Sequence, residues 1–114
     1  MIFDISSIRK LAEHDRVAFK RHAVIRMQQR AIRADDVREI LLFPELIEEY
    51  ADDHPLPSAL LFGITLARRV IHAVVAIDPT DDGMLWVVTV YEPDQINWNS
   101  DYKTRRKSDV VSIM

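Results

Sequence analysis

The chain has 114 residues, 48% of them hydrophobic and 29% charged, with 15 Lys and Arg against 18 Asp and Glu, two glycines and no cysteine. That length and apolar share fit one compact domain and exclude wholesale disorder, and the absence of cysteine excludes disulfide scaffolds, thiolate metal sites and thiol nucleophiles. The longest apolar runs are too short to cross a bilayer, and the start lacks the basic-then-apolar order of a secretory signal, so a cytoplasmic protein with no membrane partner is expected. Two glycines cannot build a P-loop or a dinucleotide loop, and no cofactor is expected.

Charge is unevenly spread. Residues 1–38 hold nine Lys and Arg against five Asp and Glu, whereas residues 39–60 hold six acids and no Lys or Arg. Residues 61–100 hold two bases and five acids, and residues 101–114 hold four bases and two acids. Both ends are therefore basic and the middle acidic. If the ends fold together they make one basic face, the footprint of phosphate-backbone binding; a mixed solvated surface is the plainer reading.

In chain order, Ile5, Ile8, Leu11 and Ala12 recur at helical spacing, which predicts a first helix over Ile5 to Glu13 with Ser6 and Ser7 at its start. Lys20 to Arg30 is free of breakers and puts Ala23, Val24, Met27 and Ala31 on a core side. On another side, His22, Arg26, Gln29 and Arg30 share an arc of about 100° at roughly 100° per residue. Asp35 and Asp36 suit the first turn of a third helix, which carries Val37, Ile40 and Leu41 and stops before Pro44.

Beyond Pro44 the composition turns to strand in four runs: Leu46 to Tyr50, Ala59 to Leu66, Val70 to Ile77 and Leu85 to Tyr91. Their short links, including Ala67-Arg68-Arg69 and the stretch from Asp78 to Gly83, favour antiparallel neighbours. The expected fold is α+β, with two to three N-terminal helices on a four-stranded antiparallel meander. A single domain spanning 1–114 follows, ordered from about residue 5 to residue 106, with the end of the tail frayed.

Some residues have a chemical reading beside a structural one. His22 can titrate near neutral pH and serve as acid or base, or simply be a half-buried hydrogen-bonder. Arg26 and Arg30 offer planar donors for phosphate, or ion pairs to Glu48, Glu49 or Asp52. Tyr91 can stack on a base or pass a proton, or it packs as an ordinary strand aromatic. Lys103, Arg105, Arg106 and Lys107 can hold an RNA backbone by charge, or form a solvated tail. His72, inside an apolar strand, is expected to face away from the main core or to hydrogen-bond within it. No histidine spacing supports a metal site, and the turn carboxylates Asp52, Asp53, Asp81 and Asp82 lack calcium-loop spacing.

The motifs His22-Ala23-x-x-Arg26-Met27-x-x-Arg30-x-Ile32, Asp36-Val37, Thr89-Val90-Tyr91-x-Pro93 and Trp98 before a basic run resemble the bacterial domain-of-unknown-function family 4258. That family is similar to the RelE-like and BrnT-like toxins of toxin–antitoxin systems. The resemblance implies a toxin-like RNA-binding protein, an mRNA endoribonuclease needing no metal, with His22, Arg26, Arg30 and Tyr91 as its catalytic set. RNA or the ribosome would be the target, and an antitoxin protein the partner. Relatives often carry Gly where Ala31 stands and Ser or Thr where Arg33 stands. The alternative is a non-catalytic protein-interaction module on the same fold, for which overall acidity and an open sheet edge speak. Nothing in the sequence fixes the oligomeric state.

Overall fold

A computed structural model describes residues 3–80 and 83–106. Three helices, α1 (Ile5–Glu13), α2 (Arg21–Arg30) and α3 (Ala34–Leu42), accompany five strands: β1 (Val17–Phe19), β2 (Glu45–Tyr50), β3 (Ser58–Ile64), β4 (Val70–Asp78) and β5 (Met84–Tyr91). The sheet order is β1-β5-β4-β3-β2. Among the described residues, no helix is long and apolar enough to cross a membrane.

The α+β class and the antiparallel run β2 to β5 are as expected, but the four-stranded antiparallel sheet is corrected to five strands with one parallel pair. Val17, Ala18 and Phe19 pair in parallel with Leu85, Trp86 and Val87. Three residues are too few to show alternation, which is why this strand escapes a periodicity argument. Its ladder is extended on either side by Leu85 N–H donating to the Arg16 carbonyl and Lys20 N–H to the Val87 carbonyl, both at 2.9 Å.

All three helices cover one face of the sheet. Ile8, Ala23, Met27, Val37, Ile40 and Leu41 pack there against Ala59, Leu61, Ile71, Ala73, Val75, Leu85, Val87 and Val90. The helix ends follow local chemistry. Asp4, rather than Ser6 or Ser7, caps α1 by accepting from Ser6 N–H, and Ser7 Oγ donates to the same carboxylate. The helix α2 ends at Ala31, which sits in the left-handed region (φ 54°, ψ 39°), the position where glycine is favoured. Arg33 precedes α3; its side chain has no acceptor to offer, so only the reciprocal half of a capping box forms, Asp36 accepting from Arg33 N–H at 2.9 Å.

The opposite face carries a second, smaller core. Leu60, Phe62, His72 and Ala76 point there, and Trp98 of the C-terminal segment is buried over them. Residues 97–106 close a loop in which Trp98 bridges Arg105 and Arg106 N–H donates to the Asn97 carbonyl. The basic C-terminal segment thus lies on the sheet face away from the helices and against the acids of β2. Of the cations in the N-terminal half, Arg30 lines one pocket with Arg105 of this segment.

Candidate functional site

Two β-bulges decide which side chains meet. In β5 the pairing with β4 slips between Val75↔Val87 and Val74↔Thr89, so Val88 is the extra residue. Unbroken alternation from Leu85 and Val87 would turn Tyr91 toward the helices; with the extra residue Val90 takes that side, and Tyr91 stands opposite His72 on the other. In β2 the pairing slips between Leu46↔Leu61 and Glu48↔Leu60, which brings Glu48 and Tyr50 to the same face.

His72 has no solvent exposure and uses both ring nitrogens. Its Nε2 lies 2.6 Å from the Tyr102 carbonyl and its Nδ1 3.1 Å from the Tyr91 hydroxyl. A carbonyl can only accept, so Nε2 carries the proton, Nδ1 is the acceptor, and the Tyr91 hydroxyl donates to it. Burial lowers the His72 pKa from its ordinary value, against the Tyr102 carbonyl, which raises it; Arg105 lowers it further. The ring is neutral at pH 7. Tyr102 reaches it from a left-handed backbone (φ 59°), a conformation uncommon for a bulky residue and here tied to aiming its carbonyl. Phe62, Tyr91 and Trp98 meet the imidazole edge-on, with centroids at 6.1, 5.2 and 4.6 Å.

Burial raises the Tyr91 pKa, so the group is a phenol at neutral pH. It lines an open pocket of about 420 Å³ with Arg30, Asn97, Trp98 and Arg105, and with the acids Glu92 and Asp94. Arg30 reaches this place because α2 packs on β5, and its Nη1 donates to the Val90 carbonyl at 3.2 Å. Arg69 pins the end of α2 there. Its Nη1 donates to the Ala31 carbonyl (2.7 Å) and its Nη2 to that of Arg30 (3.3 Å), while Nε holds Glu92 (3.1 Å) and Asp36 lies 3.7 Å away. Two carbonyls left open at the helix end are thereby satisfied.

Arg105 lies over the Trp98 ring, 4.7 Å from its centroid, and grips Glu48 with two donors at 2.7 and 3.0 Å. This hydrogen bond holds Glu48 below the usual carboxylate range; Tyr50, which donates to the same carboxylate at 2.6 Å, has its pKa pushed up to about 12 by burial and by Glu48.

The structure gathers Arg30, Tyr91 and Arg105 at one pocket. His22, exposed, and Arg26, half-buried, lie elsewhere on α2, joined by a long 3.4 Å contact from Arg26 Nε to His22 Nε2. Lys103 pairs with Glu45 at 3.0 Å and lies over the Phe62 ring; Arg106 Nε donates to the Gln95 carbonyl at 2.7 Å and pins the tail loop. Lys107, Asp81 and Asp82 lie outside the described residues, as does the tail end expected to fray. Sequence reasoning noticed His72 yet gave it no role, and it missed Arg69 and Tyr102 as supports, whereas Trp98 stands out in the sequence as the one large anchor of the polar tail and is buried. Only the lone polar residue in an apolar strand signalled the first of these. A wider cavity of about 590 Å³ between α1 and the end of β4 holds none of the nominated residues. Among the described residues, no three His, Asp or Glu side chains converge as a metal site would need.

Compared with known families, residues 19–92 match the family described as Domain of unknown function (DUF4258). No curated protein and no solved structure matches the chain.

Proposed function

The chain belongs to the DUF4258 family, whose description carries no activity, and we propose that it is a toxin-like RNA-binding protein that cuts RNA at the pocket of Arg30, Tyr91 and Arg105. The observation that carries this reading is the seat of Tyr91: a phenol in a pocket with two guanidinium groups, its proton directed at a buried neutral imidazole. Cleavage through the 2′-hydroxyl needs a group to take that proton and cations for the charge that grows on phosphorus. In the proposed step the 2′-oxygen attacks phosphorus as its proton passes to the Tyr91 oxygen and the Tyr91 proton passes to His72 Nδ1. The 5′-oxygen leaves with a proton from water, giving a 2′,3′-cyclic phosphate and a 5′-hydroxyl, and His72 returns its proton to solvent through Tyr91. Arg30 holds the phosphate. His22 and Arg26, further along α2, hold the flanking backbone. An antitoxin protein that covers the pocket is the proposed partner.

The test uses end-labelled single-stranded RNA in chelator and low salt. Cleavage to cyclic-phosphate ends is expected, slowed about 100-fold or more by Tyr91→Phe in a protein that stays folded, and abolished by a 2′-deoxy substitution at the cut. RNA left intact by the wild type would end the catalytic reading.

A second reading, the non-catalytic protein-interaction module, has one observation in its favour. Arg105 and Lys103 are already neutralised by Glu48 and Glu45, which weakens their pull on a phosphate. If RNA is neither cut nor bound, this reading replaces the first, with the outer edge of β2 as the place for strand addition.

A further inference from the structure

On the sheet face that carries Tyr91, the other end of β5 forms a second pocket, of about 260 Å³. Pro55 and Leu56 of the β2–β3 loop line it together with Trp86, Ala76 and Val88 from the strands. Trp86 pairs with Ala76, whose side chain is on the face away from the helices, and the indole is only partly buried. The Lys20 ammonium stands 4.4 Å from the Trp86 ring centroid. His54, Asp53 and Asp78 complete the rim; Asp53 is taken by Ser58 and Asp78 by the Thr80 amide and hydroxyl.

A half-open aromatic platform with a cation on its ring, walled by a proline and a leucine, suits a flat apolar π-system that carries an anion at its edge. A nucleobase with its phosphate has that chemistry. Trp86 and Tyr91 are five residues apart on one strand, about 16 Å at 3.3 Å per residue, so a strand of RNA lying across this face can meet both. We propose that the Trp86 pocket is a nucleobase subsite in which a base stacks on the indole and Lys20 moves from the ring to the adjoining phosphate. This inference rests on the RNA-binding reading above and adds to it a base-binding position remote from the reacting phosphate.

The test measures binding of a fluorescent 12-nucleotide single-stranded RNA, 2′-O-methylated so that it is not cut, to the full chain at low salt. In wild type, an abasic substitution at one position is expected to weaken binding about tenfold, while abasic sites elsewhere cost less. Trp86→Leu weakens the parent RNA by the same factor and is insensitive to that abasic site; Trp86→Phe restores most of the affinity, and Lys20→Gln flattens the salt dependence. The abasic series on the wild type is independent of whether a variant folds. If wild type binds RNA but no abasic position stands out, or if Trp86→Leu binds as well as wild type, the subsite is overturned and the RNA-binding reading survives. If wild type does not bind RNA, both fall.

Discussion

Ala31 shows how a single position can be read from the sequence and then explained by the fold. It ends α2 in a left-handed conformation that costs an L-residue about 1–2 kcal/mol, most of which glycine avoids. The family resemblance, in which glycine often stands there, pointed to the same place. Ala31→Gly is expected to stabilise the protein by about 0.5–1 kcal/mol, seen as a higher urea midpoint with an unchanged slope. His72 is a contrasting residue. A histidine in an apolar strand could be recognised as a hydrogen-bonder, but its partners are 19 and 30 residues away in sequence, and no local pattern encodes them. Arg69 is similar: five polar contacts converge on a side chain that reads as one of two cations in a turn.

At the scale of elements, helix and strand identities were legible because each stripe or alternation reports on its own neighbours. The close approach of α3 to β3 was not. Gly63 sits where an added Cβ would lie 2.3 Å from Ile40 Cβ and 3.0 Å from Ile40 Cα. Backbone cannot yield as a side-chain tip can, so Gly63→Ala must push α3 off the sheet. A loss of about 1–3 kcal/mol is expected, measured by chemical unfolding; a neutral result would mean that α3 is more loosely seated. The short parallel β1 also escaped notice, because its partner β5 lies some 65 residues later and only tertiary contact reveals it.

For the whole molecule, two layers on either side of one sheet divide the labour. The helix layer supplies most of the buried apolar surface, and the C-terminal segment supplies a polar cover over the buried neutral imidazole of β4. Stability should therefore respond to pH in a particular window. Because the folded-state pKa of His72 is depressed from 6.5, the unfolded chain binds more protons as pH falls below about 6.5, and stability drops there. The loss is at most about 1.4 kcal/mol per pH unit inside the window. Glu48, held low by Arg105, adds its own loss only further down, as pH falls below its ordinary 4.5 toward its folded value. Thermal unfolding at pH 7.5, 6.5 and 5.5 checks this: Tm should hold between the first two and fall at the third, and a flat profile would contradict a neutral buried His72. The half of the candidate site that was legible, Arg30, Tyr91 and Arg105, consists of residues whose chemistry is visible one at a time; the supports that orient them belong to the assembled sheet.

The extra residue at Val88 has a consequence for how such a protein can change over time. Substituting Val88, which also lines the Trp86 pocket, leaves the alternation of the strand as it is. Deleting it would shift the parity of everything after it in the strand, sending Tyr91 in among the helices and Val90 out to the opposite side. Point mutations can tune the pocket gradually, whereas an odd-numbered insertion or deletion in the strand would dismantle it in one step without touching any of its chemical groups. Lineages that keep this pocket should therefore hold the residue count of the strand fixed even where the identity of residue 88 changes.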